Sequence, residues 1–313
     1  MNKTNLITIT GPTAGGKTAF AANLAAKIDG EIISADSRQV YKKMDIGTGK
    51  DFEDYTVDGK KIPFHLIDIR EPGYKYNVYE YQQDFIHVFD DIRKRNKMPL
   101  LAGGTGLYIE AALNGYRLIN VPPSENRRAE LAQKTQKELI EILQQTNPEL
   151  HNSTDTKHRK RTLRAIEIAE YYEAHPETDQ YFPEIHPVIL GVKYDRDSRR
   201  KRITKRLHAR IEEGMIEEVK QLLKTVPEQD LIFYGLEYKF ITLYLNGTLK
   251  RDEMIDKLEI AIHQFAKRQM TWFRKMERAG THIHWIDGHM PMEEKMERAN
   301  TILKKYHFHI NAI

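Results

Sequence analysis

The chain has 313 residues, 40% hydrophobic and 30% charged, with a formal net charge of +4 and no cysteine. Its length is enough to bury a substantial core and exceeds one average domain. No apolar run approaches the roughly 18 residues that cross a bilayer, and the lack of cysteine excludes disulfides and thiolate metal sites.

The chain opens directly on LITIT, residues 6–10, a β-branched run that predicts a strand. The expectation is therefore a cytoplasmic protein with no signal or transit peptide and no membrane association. GPTAGGKT follows at residues 11–18 and fits G-x-x-x-x-G-K-[ST]. Beyond it, Phe20, Leu24 and Ile28 recur at helical spacing. A strand before and a helix after are the context a phosphate loop requires, so a chance match in a glycine-rich turn is the weaker reading. Gly11, Gly15 and Gly16 let the backbone curl its N–H groups towards one anion, with Pro12, Thr13 and Ala14 completing the loop. Lys17 adds a full charge at a helix start, and Thr18 offers its hydroxyl to a magnesium ion. These residues call for a phosphorylated ligand without saying which.

EIISA, residues 31–35, predicts a second strand that ends at Asp36 in ADSRQVY. Ligands of open α/β sheets lie beyond the carboxyl ends of the strands, which puts Asp36 near the phosphate loop. Asp-Ser is also good helix-capping chemistry, and position alone leaves both readings open. A carboxylate beside a diphosphate is costly unless a cation or a function compensates it, which favours a functional role. HLIDI, residues 65–69, predicts a third strand closed by Pro72-Gly73, and residues 78–94 a helix. PLLA, residues 99–102, predicts a fourth strand running into GGTGLY, where Thr105 presents a hydroxyl. A second glycine-rich turn at a neighbouring strand end argues for a shared anion site over a mere tight turn. Strands alternating with helices imply an α/β fold, a parallel sheet flanked by helices.

Beyond Leu118 the character changes. Pro122-Pro123 breaks the chain, and residues 124–172 are polar and helical with no strand signal. VILGV, residues 188–192, reads as a strand returning to the sheet. The expected organisation is a core of residues 1–118 and 188–313 with a helical insertion at 119–187. Two helical stretches and a last strand at residues 282–286 follow. Trp272 and Phe273 fall on the apolar face set by Leu258, Ile262 and Phe265 and read as core. The pairs His282/His284 and His307/His309 have strand spacing but no third ligand cluster, so packing is the better reading. KHRKRTLR (157–164) and RDSRRKRITKRLHAR (196–210) are strongly basic. Such runs are usually solvated faces. Acidic residues elsewhere bring the chain near neutrality, so the basic charge is segregated, as expected for a nucleic-acid substrate.

Taken in order, GPTAGGKT, DSRQVY, MDIGTGK, GGTGLY and AKRQMTWFRK resemble the tRNA dimethylallyltransferases, the delta-2-isopentenyl pyrophosphate transferase family. The resemblance runs from about residue 5 to residue 290. It implies a P-loop kinase-like core with a helical insertion domain that binds tRNA. It implies transfer of a dimethylallyl group to N6 of adenosine 37, with the loop holding the diphosphate of dimethylallyl diphosphate and Mg2+. Asp36 resembles the residue that takes the N6 proton. Lys17, the loop amides and magnesium would stabilise the departing pyrophosphate, Thr13 and Thr105 would position the reacting ends, and Arg206, or else Arg202, would reach the diphosphate. Asp36, Ser37, Arg38 and Gln39, with Thr105, would meet the flipped nucleotide. Lys160, Arg161, Thr162, Leu163 and Arg164 correspond to a QR-x-x-R segment, and Arg127 to another position, that would contact the anticodon arm. Four departures stand out. Gly15 replaces a commoner Ser, Lys160 replaces Gln, HNSTDTKHRK differs from an NDPQR pattern, and FYGLEYKF stands where GY-K-E is usual. Rival readings are an adenylate isopentenyltransferase acting on free nucleotide, a small-molecule kinase, and an RNA-binding protein with a vestigial nucleotide fold. A monomer is the default expectation.

Overall fold

The structure, a computed structural model, describes residues 3–147, 156–176 and 181–308. It divides into two compact units, Met1–Tyr116 with Pro183–Ile313, and Arg117–Phe182. In the first unit, β1 (Leu6–Thr10), β2 (Gly30–Ala35), β5 (Phe64–His65), β6 (Met98–Gly103), β7 (Pro187–Lys193) and β8 (Ile283–Asp287) form one parallel sheet in the order β5-β2-β6-β1-β7-β8. A small antiparallel hairpin, β3 (Thr56–Val57) with β4 (Lys60–Lys61), lies outside it. The parallel sheet expected from the strand–helix alternation is the sheet observed.

β1 is buried along its whole length: both of its edges are paired, and Ile7 and Ile9 lie in the core beneath α1 (Lys17–Ile28). Register levels the strand ends: Thr10 pairs with Gly103 and Gly191, and Ala35 pairs with Gly103. The turns after β1, β2 and β6 therefore leave the sheet side by side. Phe20 and Leu24 of α1 pack on Ile7, Ile9, Ile32, Leu100 and Leu190, so the helix behind the phosphate loop is held by the main core. α2 (Val78–Lys94) starts at a capping box made by Asn77 and Glu80 and buries Tyr81, Phe85, Phe89 and Ile92 on one face. α3 (Gly106–Asn114) follows β6.

Two expectations fail here. Of HLIDI only His65 pairs with the sheet, in a two-residue strand begun by Phe64. Leu66 and Asp68 take φ of 62° and 56°, left-handed values that end a strand and turn Asp68 towards Lys50. After β7, five helices replace the two expected stretches: α7 (Arg196–Glu212), α8 (Met215–Leu222), α9 (Glu228–Tyr234), α10 (Leu236–Leu245) and α11 (Arg251–Arg278). Gly214, Pro227 and Gly235 punctuate the first four. A helix not expected from the sequence, α12 (Met292–Lys304), adds Ile302 and Leu303 to the core.

The second unit holds α4 (Glu125–Ala132), α5 (Gln136–Thr146) and α6 (Arg159–Ala174) around Leu131, Leu139, Leu143 and Ile166. So small a core is supplemented by charge. Buried Glu167 accepts from Arg128, Arg164 and the Ser124 N–H. The Arg159 guanidinium donates to the carbonyls of Leu131, Ala132 and Lys134, at and just beyond the C-terminal end of α4. Among the described residues no helix is long and apolar enough to cross a membrane.

Candidate active site

Three turns build the site from the level strand ends. Gly11 has φ 148°, and a Cβ there would lie 2.2 Å from the Val192 carbonyl oxygen, so the loop leaves β1 in a path only glycine allows. Lys17 follows at the start of α1, its Nζ donating to the Pro12 carbonyl at 2.8 Å. Burial, then the nearby Arg206 charge, brings the Lys17 pKa down to about 8, against an opposing pull from Asp36. Arg202 Nε donates to the Ala14 carbonyl at 3.0 Å and so backs the loop from outside. Arg206, one helical turn further along α7, lines the cavity instead.

After β2, Asp36 Oδ1 accepts the Arg38 N–H at 2.9 Å, and Thr105 Oγ1 accepts the Ser37 N–H at 3.1 Å. Among the described residues Asp36 Oδ2 makes no hydrogen bond, while Asp36 lines the cavity. Capping chemistry and an open carboxylate oxygen thus occur together at one residue. Gln39 donates to the Gly49 carbonyl at 3.0 Å and ties this turn to the loop at residues 45–50.

That loop is held on two sides. The Glu218 carboxylate accepts the N–H groups of Asp45, Ile46 and Gly47 at 2.8, 2.7 and 3.0 Å, and the Tyr238 hydroxyl at 2.7 Å. Buried Lys50 donates to the Tyr41 carbonyl and to Asp45 and Asp68. Arg210 reaches the Ile46 carbonyl and Asp51.

The cavity enclosed by these turns measures about 590 Å3. Its lining combines polar groups, the phosphate loop, Asp36, Thr105 and Arg206, with the apolar side chains of Phe233, Leu236, Ile262, Phe265 and Trp272. Phe233 is 59% exposed and Phe265 38%, large values for aromatic side chains. Trp272 and Phe265 are thus cavity wall, and only Phe273, fully buried, is the core residue expected. Near-perpendicular directions around α11 separate them. Glu237, from FYGLEYKF, also lines the cavity, and burial pushes its carboxyl above the usual range despite Arg206 and Arg210.

The structure thus brings together Gly15, Gly16, Lys17, Thr18, Thr13, Asp36, Ser37, Arg38, Gln39, Thr105 and Arg206 around one cavity. Arg127, Lys160, Arg161, Thr162, Leu163 and Arg164 belong to the helical unit. There Arg127 pairs with Glu170 and Glu130, Arg164 pairs with Glu167, and Leu163 packs on the small core. Thr162 is fully buried, its hydroxyl accepting from Gln136 and donating to the His158 carbonyl. It is therefore a helix-packing residue and has no surface to offer an RNA. Lys160 and Arg161 are exposed. Residues 151–155 of HNSTDTKHRK, and His309, lie outside the described residues. His284 accepts or donates to the Tyr306 hydroxyl at 2.7 Å beside His282, and no group of three or more metal-ligating side chains occurs among the described residues.

Sequence reasoning missed Gln269, Glu218, Glu237 and Arg210. One signal was available: Gln269 interrupts the buried stripe of Ile262, Ala266 and Phe273, where a polar side chain needs a partner. A second cavity, of about 1070 Å3, absorbs part of the 196–210 run. Arg196, Arg199, Arg200, Lys267 and Arg274 line it without an ion pair among the described residues. Burial, then crowding by Arg274 and Arg196, lowers the Arg199 pKa.

Comparison with known families gives matches to the IPP transferase family over residues 39–276 and to the isopentenyl transferase family over residues 4–63. The tRNA dimethylallyltransferase 1 of Parabacteroides distasonis is 57% identical over 305 residues, 97% of this chain and 99% of that relative. The crystal structure of the full-length tRNA isopentenylpyrophosphate transferase from Bacillus halodurans superposes with a TM-score of 0.70 at 30% identity, covering 97% of this chain and 98% of that one. A eukaryotic dimethylallyltransferase studied acting on tRNA shares the fold, with a TM-score of 0.79 at 20% identity, over 99% of this chain and 81% of that one.

Proposed function

The chain belongs to the IPP transferase family, and from this we propose that it is a prenyltransferase that moves the dimethylallyl group of dimethylallyl diphosphate to N6 of adenosine 37 in tRNA, releasing pyrophosphate. The observation that carries the reading is the convergence of Asp36, Lys17 and Arg206 on one cavity that also has an apolar wall.

The exocyclic amine of adenine is a poor nucleophile because its lone pair is delocalised into the ring. The unpaired Asp36 oxygen accepts an N6–H and takes the proton as the C–N bond forms. Ser37 and Thr105 hold that turn still through their mutual hydrogen bond. Charge then develops on the departing diphosphate. Lys17, Arg206 and the loop amides meet it in place, with little reorganisation. The residues fit a magnesium ion of the kind held mainly by substrate. Thr18 supplies one hydroxyl, and among the described residues no cluster of three carboxylates or histidines stands ready to cage a metal without the diphosphate. Bound there, Mg2+ would add Lewis-acid stabilisation to the leaving group.

The helical unit is the insertion that grips the anticodon arm, with Lys160 and Arg161 as its exposed cations. Arg127 and Arg164, already paired within the unit, act on RNA only if those pairs open. The protein works as a cytoplasmic monomer on this reading. The partial match to the isopentenyl transferase family keeps free adenine nucleotide as the rival acceptor. The test incubates the protein and Mg2+ with labelled dimethylallyl diphosphate and either unmodified tRNA or AMP. Label in tRNA alone supports the proposal; label in AMP, or phosphate transfer from ATP, overturns it.

A further inference from the structure

Gln269 lies on α11, 8% exposed, and its side-chain amide spans two of the turns that build the site. Oε1 accepts the Thr13 N–H at 2.8 Å, and Nε2 donates to the Gly104 carbonyl at 2.9 Å. Only one orientation of the amide satisfies a donor on one side and an acceptor on the other. Gly104 is shaped around it: a Cβ there would come within 2.6 Å of Nε2. The two partners have different duties. Thr13 belongs to the loop that faces the diphosphate. Gly104 precedes Thr105, whose hydroxyl holds the Asp36 turn through Ser37.

We propose that Gln269 is a positioning residue that sets the spacing between the diphosphate loop and the turn carrying the proton acceptor. The inference rests on the prenyl-transfer reading. Displacement at carbon needs nucleophile, carbon and leaving oxygen in line. A misplacement of about 1 Å between two bound groups costs on the order of 10²-fold in rate while leaving each group bound. Gln269 lines the cavity, but both of its amide hydrogen bonds go to the two turns. It fixes the gap between what holds the two bound groups.

Three variants test it. Gln269→Glu keeps the size and the Oε1 acceptor but loses the donor and sets a carboxylate oxygen against the Gly104 carbonyl. Gln269→Met loses both bonds. Gly104→Ala leaves the glutamine in place and drives its amide aside. Each is expected to lower kcat on tRNA by about 10²-fold, with tRNA and inorganic pyrophosphate affinities staying within about threefold of wild type. The double variant Gly104→Ala/Gln269→Met is expected to be no slower than the worse single, because both act on one clamp. Loss of tRNA affinity, pyrophosphate affinity and melting temperature together would make the residue merely structural and overturn the proposal. So would Gln269→Glu turning over within about threefold of wild type. Wild type failing to prenylate tRNA would instead sink the functional reading beneath it.

Discussion

Lys17 carries the most direct consequence at the scale of single residues. With its pKa near 8 in the free protein, it is charged below that pH and neutral above it. An incoming diphosphate must re-protonate it at higher pH, so affinity falls as pH rises past about 8, by up to tenfold per unit. Pyrophosphate titrations between pH 7 and 9.5 check this against Lys17→Met, which should bind weakly and lack that increment of pH dependence; matching profiles would refute it. Asp36→Asn should lower kcat by about 10²–10⁴-fold while tRNA binding holds, measured by filter binding beside single turnover. The loop and Asp36 were legible in the sequence because their meaning is local: a contiguous motif between strand and helix, and a carboxylate at a strand end. Gln269 was not, since its partners lie 256 and 165 residues away and only folding makes them neighbours.

Among the elements, α2 was legible to the residue, because an apolar stripe and a capping box mark both its register and its start. HLIDI was not. Its apolar residues look like a strand, but the left-handed backbone at Leu66 and Asp68 answers a tertiary demand, the pairing of Lys50. The helical unit depends on Glu167 in a comparable way. Burial raises its pKa and the Arg128 and Arg164 hydrogen bonds outweigh that, leaving it below the usual carboxylate range. Glu167→Gln should destabilise this unit by about 1–3 kcal/mol, since two guanidinium groups lose a charged acceptor. Hydrogen exchange should show faster opening of α4 and α6 with the sheet unchanged. Equal loss in both units would contradict it.

For the molecule as a whole, a net charge of +4 conceals a strong separation of sign. The five cations around the second cavity that have no ion pair among the described residues, and Lys160 with Arg161 in the helical unit, predict tRNA affinity that falls steeply with salt. Lys160→Ala/Arg161→Ala should reduce the log–log salt slope by about 1.4–1.8, the value for two phosphate contacts; an unchanged slope would remove them from the interface. The contrast within the catalytic unit is of another kind. Three successive N–H groups at residues 45–47 make a ring of donors fit for an oxyanion, and Glu218 already fills it. The protein thus carries its own counter-ion at one cradle, while the phosphate loop faces the cavity. Emptying the filled one by Glu218→Ala should turn a one-to-one pyrophosphate binder into a two-to-one binder, the second site weaker, and calorimetric stoichiometry would count them.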